Sequence, residues 1–331
     1  MHAFINSPLQ IGSLEIPNRL IQGPLAGYSC APFRTLFNQY TPPAYCVTEM
    51  SSAADIVHKH TINSRYIYRA PQEKLLAYQI SGSKPQILAQ AASQLAAYGA
   101  DLIDINCGCP KSKIRKKGAG SALLEAPEQL IRIIKTVRAA IDIPLTIKIR
   151  IQGTQDDLIL AQKIAEAGAD ALIVHGRRWI DDYDVATDLA KIAQIKQAIP
   201  IPVIANGDIA DINSLRHAVE ATGCDAYMIA RAGSGKPWLY QELLRQRPLS
   251  VSFTERITLF MRHLADLAVL ENEFKAVLQS KSLVRYYFAK FFAVETLNQF
   301  NQLDSLGRIE DFLRQQGSNL NHSQTTTAIY F

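Results

Sequence analysis

Eight times between Arg19 and Arg231 a short, nearly unbroken apolar run gives way to turn residues, and most of these runs are followed by a stretch of helical periodicity. The runs are Arg19 to Gly27, Ala44 to Met50, Leu75 to Ser81, Ala100 to Asn106, Pro144 to Arg150, Asp170 to Arg177, Ile201 to Asp208 and Asp225 to Arg231. Strands that are apolar along their whole length are covered on both faces, which is the condition of a parallel sheet wrapped by helices. The intervening stretches supply those helices. Within Pro85 to Tyr98, Ile87, Leu88, Ala91, Ala92 and Leu95 recur on one face, and Pro127 to Ile141 and Asp157 to Ala167 behave alike, the last stopped by Gly168. Eight such units over about 250 residues predict a TIM (β/α)8 barrel. A doubly wound sheet is the other parallel arrangement, but the first run lacks the Gly-x-Gly-x-x-Gly turn of its dinucleotide site.

At 331 residues the chain exceeds one ordinary domain, and from about Pro248 the pattern becomes helical only. Phe253 to Leu270, Phe274 to Val294 and Leu306 to Gln316 carry apolar residues at helical spacing with no strand between them. The expected division is a catalytic barrel over residues 1–245, a small all-helical domain over 246–316 and a polar, loosely held tail over 317–331. An apolar share of 48% suffices for a large core, and a charged share of 20% excludes a disordered chain. Five scattered cysteines, an odd number, do not form a disulfide framework, and Cys107 and Cys109 have no second pair with which to hold zinc. The expectation is a reduced, metal-free protein. With no leader segment and no apolar stretch long enough to span a bilayer, a cytoplasmic location is expected.

The fourth run leads into Cys107-Gly108-Cys109-Pro110, where Gly108 and Pro110 end the extended chain and place Cys109 just past a strand's C-terminal end. In a (β/α)8 barrel that is the face that carries the chemistry. The alternative is an inert core thiol, the commoner fate of a free cysteine. The loop that follows contains Lys111, Lys113, Arg115, Lys116 and Lys117, a local cationic cluster that suits a polyanion better than the modest net charge of +5 does.

Polar residues also end other strands: Gln79, Asn106, Lys148, His175, Asn206, Asp208 and Arg231. A cation within an apolar strand is costly unless paired, so Lys148 and Arg150 need an anionic or electron-rich partner. Two readings stand for Lys148, a structural ion pair with Asp104 or Glu49 and a contact to an electron-accepting ring. For His175 they are a satisfied core histidine and a ligand contact. Asn206-Gly207-Asp208 and Ala230-Arg231 close the seventh and eighth strands, the usual phosphate site of this fold, and point to a phosphorylated cofactor.

Taken in order, Pro24-Leu25-Ala26-Gly27, Thr48-Glu49-Met50, Asn106-Cys107-Gly108-Cys109-Pro110 and Gly118 to Leu124 form a specific series. Lys148-Ile149-Arg150, His175-Gly176-Arg177, Asn206-Gly207-Asp208 and Ala230-Arg231 complete it. Over nearly the whole chain this series resembles the bacterial tRNA-dihydrouridine synthases. The departures are Leu25, where the family usually has Met or Glu, Ala230, where it has Gly, and a helix around Lys281 that lacks the family's Trp.

The resemblance implies FMN-dependent reduction of the uracil 5,6 double bond in the D loop of tRNA, with NADPH recharging the flavin and Cys109 as the acid that protonates C5. A general acid must arrive carrying its proton, and an ordinary thiol, with a pKa of about 8.5, does so near neutrality. It further implies an FMN site of Pro24, Leu25, Ala26, Gln79, Lys148, His175, Asn206, Gly207, Asp208, Ala230 and Arg231. Substrate contacts are expected from Asn106, Arg150, Arg177, Lys113, Lys116, Lys117, Lys281, Arg285 and Lys290, with Tyr286 and Tyr287 available for stacking or core packing. Two other functions fit parts of the sequence. One is a dihydropyrimidine or dihydroorotate type of dehydrogenase acting on a free base, which needs neither the basic loop nor the helical domain. The other is a tRNA-binding protein without catalysis, against which Cys109, Lys148 and Arg231 count.

Overall fold

In a computed structural model, which describes residues 1–327, the eight expected runs are eight parallel strands. They are β1 (Leu20–Gln22), β2 (Cys46–Val47), β3 (Leu76–Ser81), β4 (Leu102–Cys107), β5 (Leu145–Arg150), β6 (Ala171–His175), β7 (Val203–Asn206) and β8 (Ala226–Ile229). Each pairs with the next, and β8 pairs back onto β1 through Met228 opposite Ile21, so the sheet closes. The barrel helices include α1 (Pro85–Ala97), α2 (Pro127–Arg138), α3 (Asp156–Glu166), α4 (Leu189–Ala198) and α5 (Ile212–Thr222).

Strand alternation sorts the side chains into two layers. Ile103, Ile105 and Cys107 of β4, with Leu145, Ile147 and Ile149 of β5, belong to the large core packed against the helices. Their alternates, Asp104, Asn106, Thr146, Lys148 and Arg150, therefore face the barrel interior. This explains why Lys148 interrupts an apolar run without breaking the strand. Lower in the interior, Leu102, Ala171, Ile173, Ile204, Ala226 and Met228 pack together. That layer is closed by an antiparallel hairpin absent from the sequence reading, Leu9–Ile11 with Leu14–Ile16, whose Ile11 and Ile16 join it. Gly12, at φ +54°, makes the tight turn.

The chain forms two compact units, one ending at Arg247 and the other, helical, running on from Pro248 and including the short stretch Ser234–Trp238. That unit comprises α6 (Phe253–Leu270), α7 (Glu273–Phe288), α8 (Val294–Phe300) and α9 (Leu306–Thr327). Its core is aromatic, with Phe260 against Tyr287, Phe288 and Phe300. Two expectations change here. The single helix expected from Phe274 to Val294 ends at Phe288, and the tail expected from Gly317 is helical as far as Thr327, with 328–331 outside the described residues.

Candidate active site

The interior polar residues meet at the C-terminal mouth of the barrel in a cavity of about 770 Å³. Of the expected site residues, Pro24, Leu25, Ala26, Gln79, Asn106, Cys109, Lys148, Arg150, His175, Asn206, Gly207, Asp208, Ala230 and Arg231 line it.

Beneath the cavity runs a chain of directed hydrogen bonds. Asp104, fully buried, accepts from Gln79 Nε2 and from Thr146 Oγ1, each at 2.7 Å. Because a carboxylate can only accept, it fixes which way the Gln79 amide points. Gln79 Oε1 then accepts from Asn106 Nδ2 at 3.0 Å, which turns Asn106 Oδ1 toward the loop, where it receives the Cys109 N–H at 3.0 Å. A buried anion thus sets the orientation of the turn that presents the thiol. Burial raises the Asp104 carboxyl from 3.8 to about 6 despite the opposing hydrogen bonds from Gln79 and Thr146 and the nearby charge of Lys148.

Cys109 is half-buried on the cavity wall, whereas Cys30, Cys46, Cys107 and Cys224 are buried. Cys107, two residues away, faces the helix layer, and burial pushes its thiol well above the ordinary value.

Lys148 Nζ donates to Asn206 Oδ1 at 2.9 Å, and Asn206 Nδ2 donates to the Met228 carbonyl, also at 2.9 Å. Neither ion pair considered from sequence forms: Glu49 is engaged by Arg65 at 2.7 Å, and Asp104 influences Lys148 only through space. Desolvation brings Lys148 down from 10.5 to about 8. It is a cation with donors to spare, facing a cavity. Glu49 has a separate task, accepting the Gly27 N–H at 2.6 Å and so holding the loop after β1.

His175 lies among cations. Burial first, then Lys148, Arg150, Arg177 and Arg231, lower its imidazole from 6.5 to about 2, so it is neutral across the working range. Arg177 Nη1 lies 3.3 Å from His175 Nε2, and since arginine only donates, Nε2 accepts and Nδ1 carries the proton.

Arg177 itself is spent within the chain. It is buried, holds both oxygens of Asp208 at 2.7 Å and donates to the Tyr183 and Val185 carbonyls. Asp208 also accepts from Thr187 Oγ1 at 2.8 Å. This pair ties down the loop after β6, so the side chains of Arg177 and Asp208 are fixtures of the cavity wall. Arg231 stays about half exposed beside them, 3.6 Å from Asp208 and stacked over the Tyr183 ring at 4.0 Å.

Lys113, Lys116 and Lys117 are exposed on and after the short helix Ser112–Arg115, outside the cavity lining, while Lys111 of the same loop reaches the lining. In the helical unit Arg285 and Lys290 are exposed and Lys281 is half-buried. Tyr287 is a core residue bonded to His263 Nδ1 at 3.1 Å, whereas Tyr286 is 38% exposed. Sequence reading passed over Tyr28, Tyr183 and Ile209 in the lining. Tyr183 lies mid-loop, where no strand-end signal marks it.

Against known proteins, the profile of the dihydrouridine synthase family matches residues 21–321. The chain is 36% identical over 317 residues to the probable tRNA-dihydrouridine synthase 1 of Synechocystis, covering 93% of this chain and 89% of that one. It is 37% identical over 306 residues to tRNA-dihydrouridine synthase B of Pseudomonas aeruginosa, covering 90% and 92%. Among solved structures, an old yellow enzyme homologue from Zymomonas mobilis superimposes with a TM-score of 0.55 at 15% identity, over 74% of this chain and 94% of that one. Morphinone reductase does so with a TM-score of 0.54 at 12% identity, over 74% and 92%. At these identities the structural likeness concerns the fold.

Proposed function

The chain belongs to the dihydrouridine synthase family, and from that membership we propose that it is a tRNA-dihydrouridine synthase using FMN and NAD(P)H, with Cys109 as the acid. The observation that carries the reading is that a half-buried thiol and a desolvated lysine line one cavity at the barrel mouth.

The residues fit FMN. Lys148, with donors unspent, and Gln79 are the polar groups for a ring that takes up negative charge on reduction. Gly207, at φ +134°, and Asp208, at φ +51°, turn the backbone at the end of β7, and Arg231 supplies a cation for the phosphate. When bound, FMN recharged by NAD(P)H supplies the hydride for the uracil 5,6 double bond. Cys109 Sγ gives the proton to C5, Asn106 holds the Cys109 turn, and neutral His175 offers Nδ1–H to an acceptor without adding charge. The exposed Lys113, Lys116 and Lys117 meet the tRNA backbone, and Arg285 and Lys290 of the helical unit do the same on their own surface. A cytoplasmic location is part of this proposal, and the tRNA-modifying role is what supports it.

Single-turnover reoxidation of the reduced enzyme by tRNA tests the acid. Cys109→Ala should retain flavin and be reduced by NAD(P)H, then reoxidise about 10²–10⁴-fold more slowly, the usual loss for a positioned general acid. Cys107→Ala should stay active, because that thiol lies in the helix layer. Near-normal reoxidation by Cys109→Ala would remove the proposed proton donor.

A further inference from the structure

The Cys109 carbonyl accepts two hydrogen bonds from one residue, Ser121, through its N–H at 3.1 Å and its Oγ at 3.0 Å. Ser121 Oγ accepts in turn from Arg115 Nη1 at 3.0 Å, while Arg115 Nη2 grips both oxygens of Glu125 at 2.9 and 3.0 Å. The same guanidinium lies 3.6 Å from the ring centroid of Trp179. Trp179 belongs to a different segment, the loop after β6, which is anchored by Arg150 donating to the Arg178 carbonyl at 2.8 Å and by Arg177 on Asp208. The Cys109 peptide is therefore held on one side by Asn106 and on the other by a series running Ser121, Arg115, Trp179. The turn has no slack: a Cβ at Gly120, φ +62°, would lie 2.7 Å from the Cys109 carbonyl oxygen and 3.2 Å from the Cys109 Cβ.

We propose that Arg115 and Trp179 are positioning residues for Cys109, clamping the thiol-bearing segment to the opposite loop of the cavity so that Sγ stays aimed inward. The geometry has two parts that serve this end. The Glu125 pair fixes the plane of the guanidinium, and a fixed plane is what indole stacking and a directed bond to Ser121 both require. Neither Arg115 nor Trp179 lines the cavity, so their effect on chemistry passes through Cys109. The catalytic part of this inference rests on Cys109 being the acid; the clamp itself does not.

Alkylation tests the clamp directly, because Cys109 is the one described cysteine that is not buried. Holoenzyme is treated with iodoacetamide under pseudo-first-order conditions, and labelling at Cys109 is followed by peptide mass. Trp179→Ala should change the Cys109 labelling rate by about threefold to tenfold, the scale of one guanidinium–indole contact, as should Arg115→Met. Trp179→Phe, which keeps an aromatic face, should restore the wild-type rate. Trp179→Ala changes no charge, so tRNA affinity and its salt dependence should stay put while the single-turnover rate falls. Flavin retention by each variant certifies that the barrel has folded. Wild-type labelling in both Trp179→Ala and Arg115→Met would overturn the clamp. Altered labelling with unaltered turnover would uphold the clamp and refute Cys109 as the acid.

Discussion

Asp104→Asn probes the anion under the active site, and its size can be worked from the structure. Asp104 is completely buried, and burial is the largest influence lifting its carboxyl from 3.8 to about 6. In the unfolded chain it ionises at its ordinary value, so between about pH 4 and pH 6 the folded protein binds more protons than the unfolded one, and stability falls as pH rises. The group's contribution is fully present below the unfolded value and is lost as pH climbs past about 6, a difference of roughly 3 kcal/mol. Asn can keep both hydrogen bonds. Its Oδ1 can face Gln79 while its amide faces Thr146, whose hydroxyl then accepts and can donate to the Ile103 carbonyl 3.5 Å away. Lacking a proton to release, the variant should lack this slope. The assay is thermal unfolding of both flavin-free proteins across the range. Since 1 kcal/mol corresponds to about 2–4 °C for a unit of this size, the variant should gain roughly 6–12 °C on wild type between about pH 4 and pH 7.5. Parallel melting curves across that range would refute the view that Asp104 ionises against burial.

Two further outcomes bear on the ligands. Arg231→Ala removes the exposed cation beside Asp208 and should weaken FMN binding by roughly tenfold to a hundredfold, the worth of a charge-assisted hydrogen bond, as read by equilibrium dialysis; undiminished affinity would move the phosphate elsewhere. Changing Lys113, Lys116 and Lys117 to Gln should flatten the dependence of log Kd for tRNA on log salt by about 0.7–0.9 for each lysine that meets a phosphate, and an unchanged slope in filter binding would exclude this surface.

The barrel was legible because parallel strands buried on both faces must read as apolar runs, and its mouth because an interior polar residue then stands out against them. Lys148 shows the logic, since alternation turns it inward while Ile147 and Ile149 pack under the helices. The same alternation separates Cys107 from Cys109. The N-terminal hairpin escaped notice although Leu9 to Ile16 holds a Gly-Ser turn between two alternating triplets, because three residues per strand are too few to establish a period. The break after Phe288 escaped because Phe291, Phe292 and Val294 continue the apolar content without a Gly or Pro to punctuate it.

What sequence could not divide was the cations. Arg150 ends a strand and Arg177 and Arg231 lie just past one, and each by itself reads as a ligand contact. Their fates depend on acceptors that only the folded loops bring near. Asp208 arrives from the end of β7 to occupy Arg177, and the Arg178 carbonyl takes one donor of Arg150. A strand-end cation thus announces that negative charge or electron density must be met, without saying whether the chain or a ligand supplies it. Arg115 is the sharpest instance: within the basic stretch from Lys111 to Lys117 it reads as one more phosphate contact, yet Glu125, Ser121 and Trp179 take up its guanidinium and leave the lysines around it exposed to solvent. On the proposals made above, the run is two devices interleaved, a clamp built on the one residue with a planar fork of donors and a footprint built on the flexible point charges.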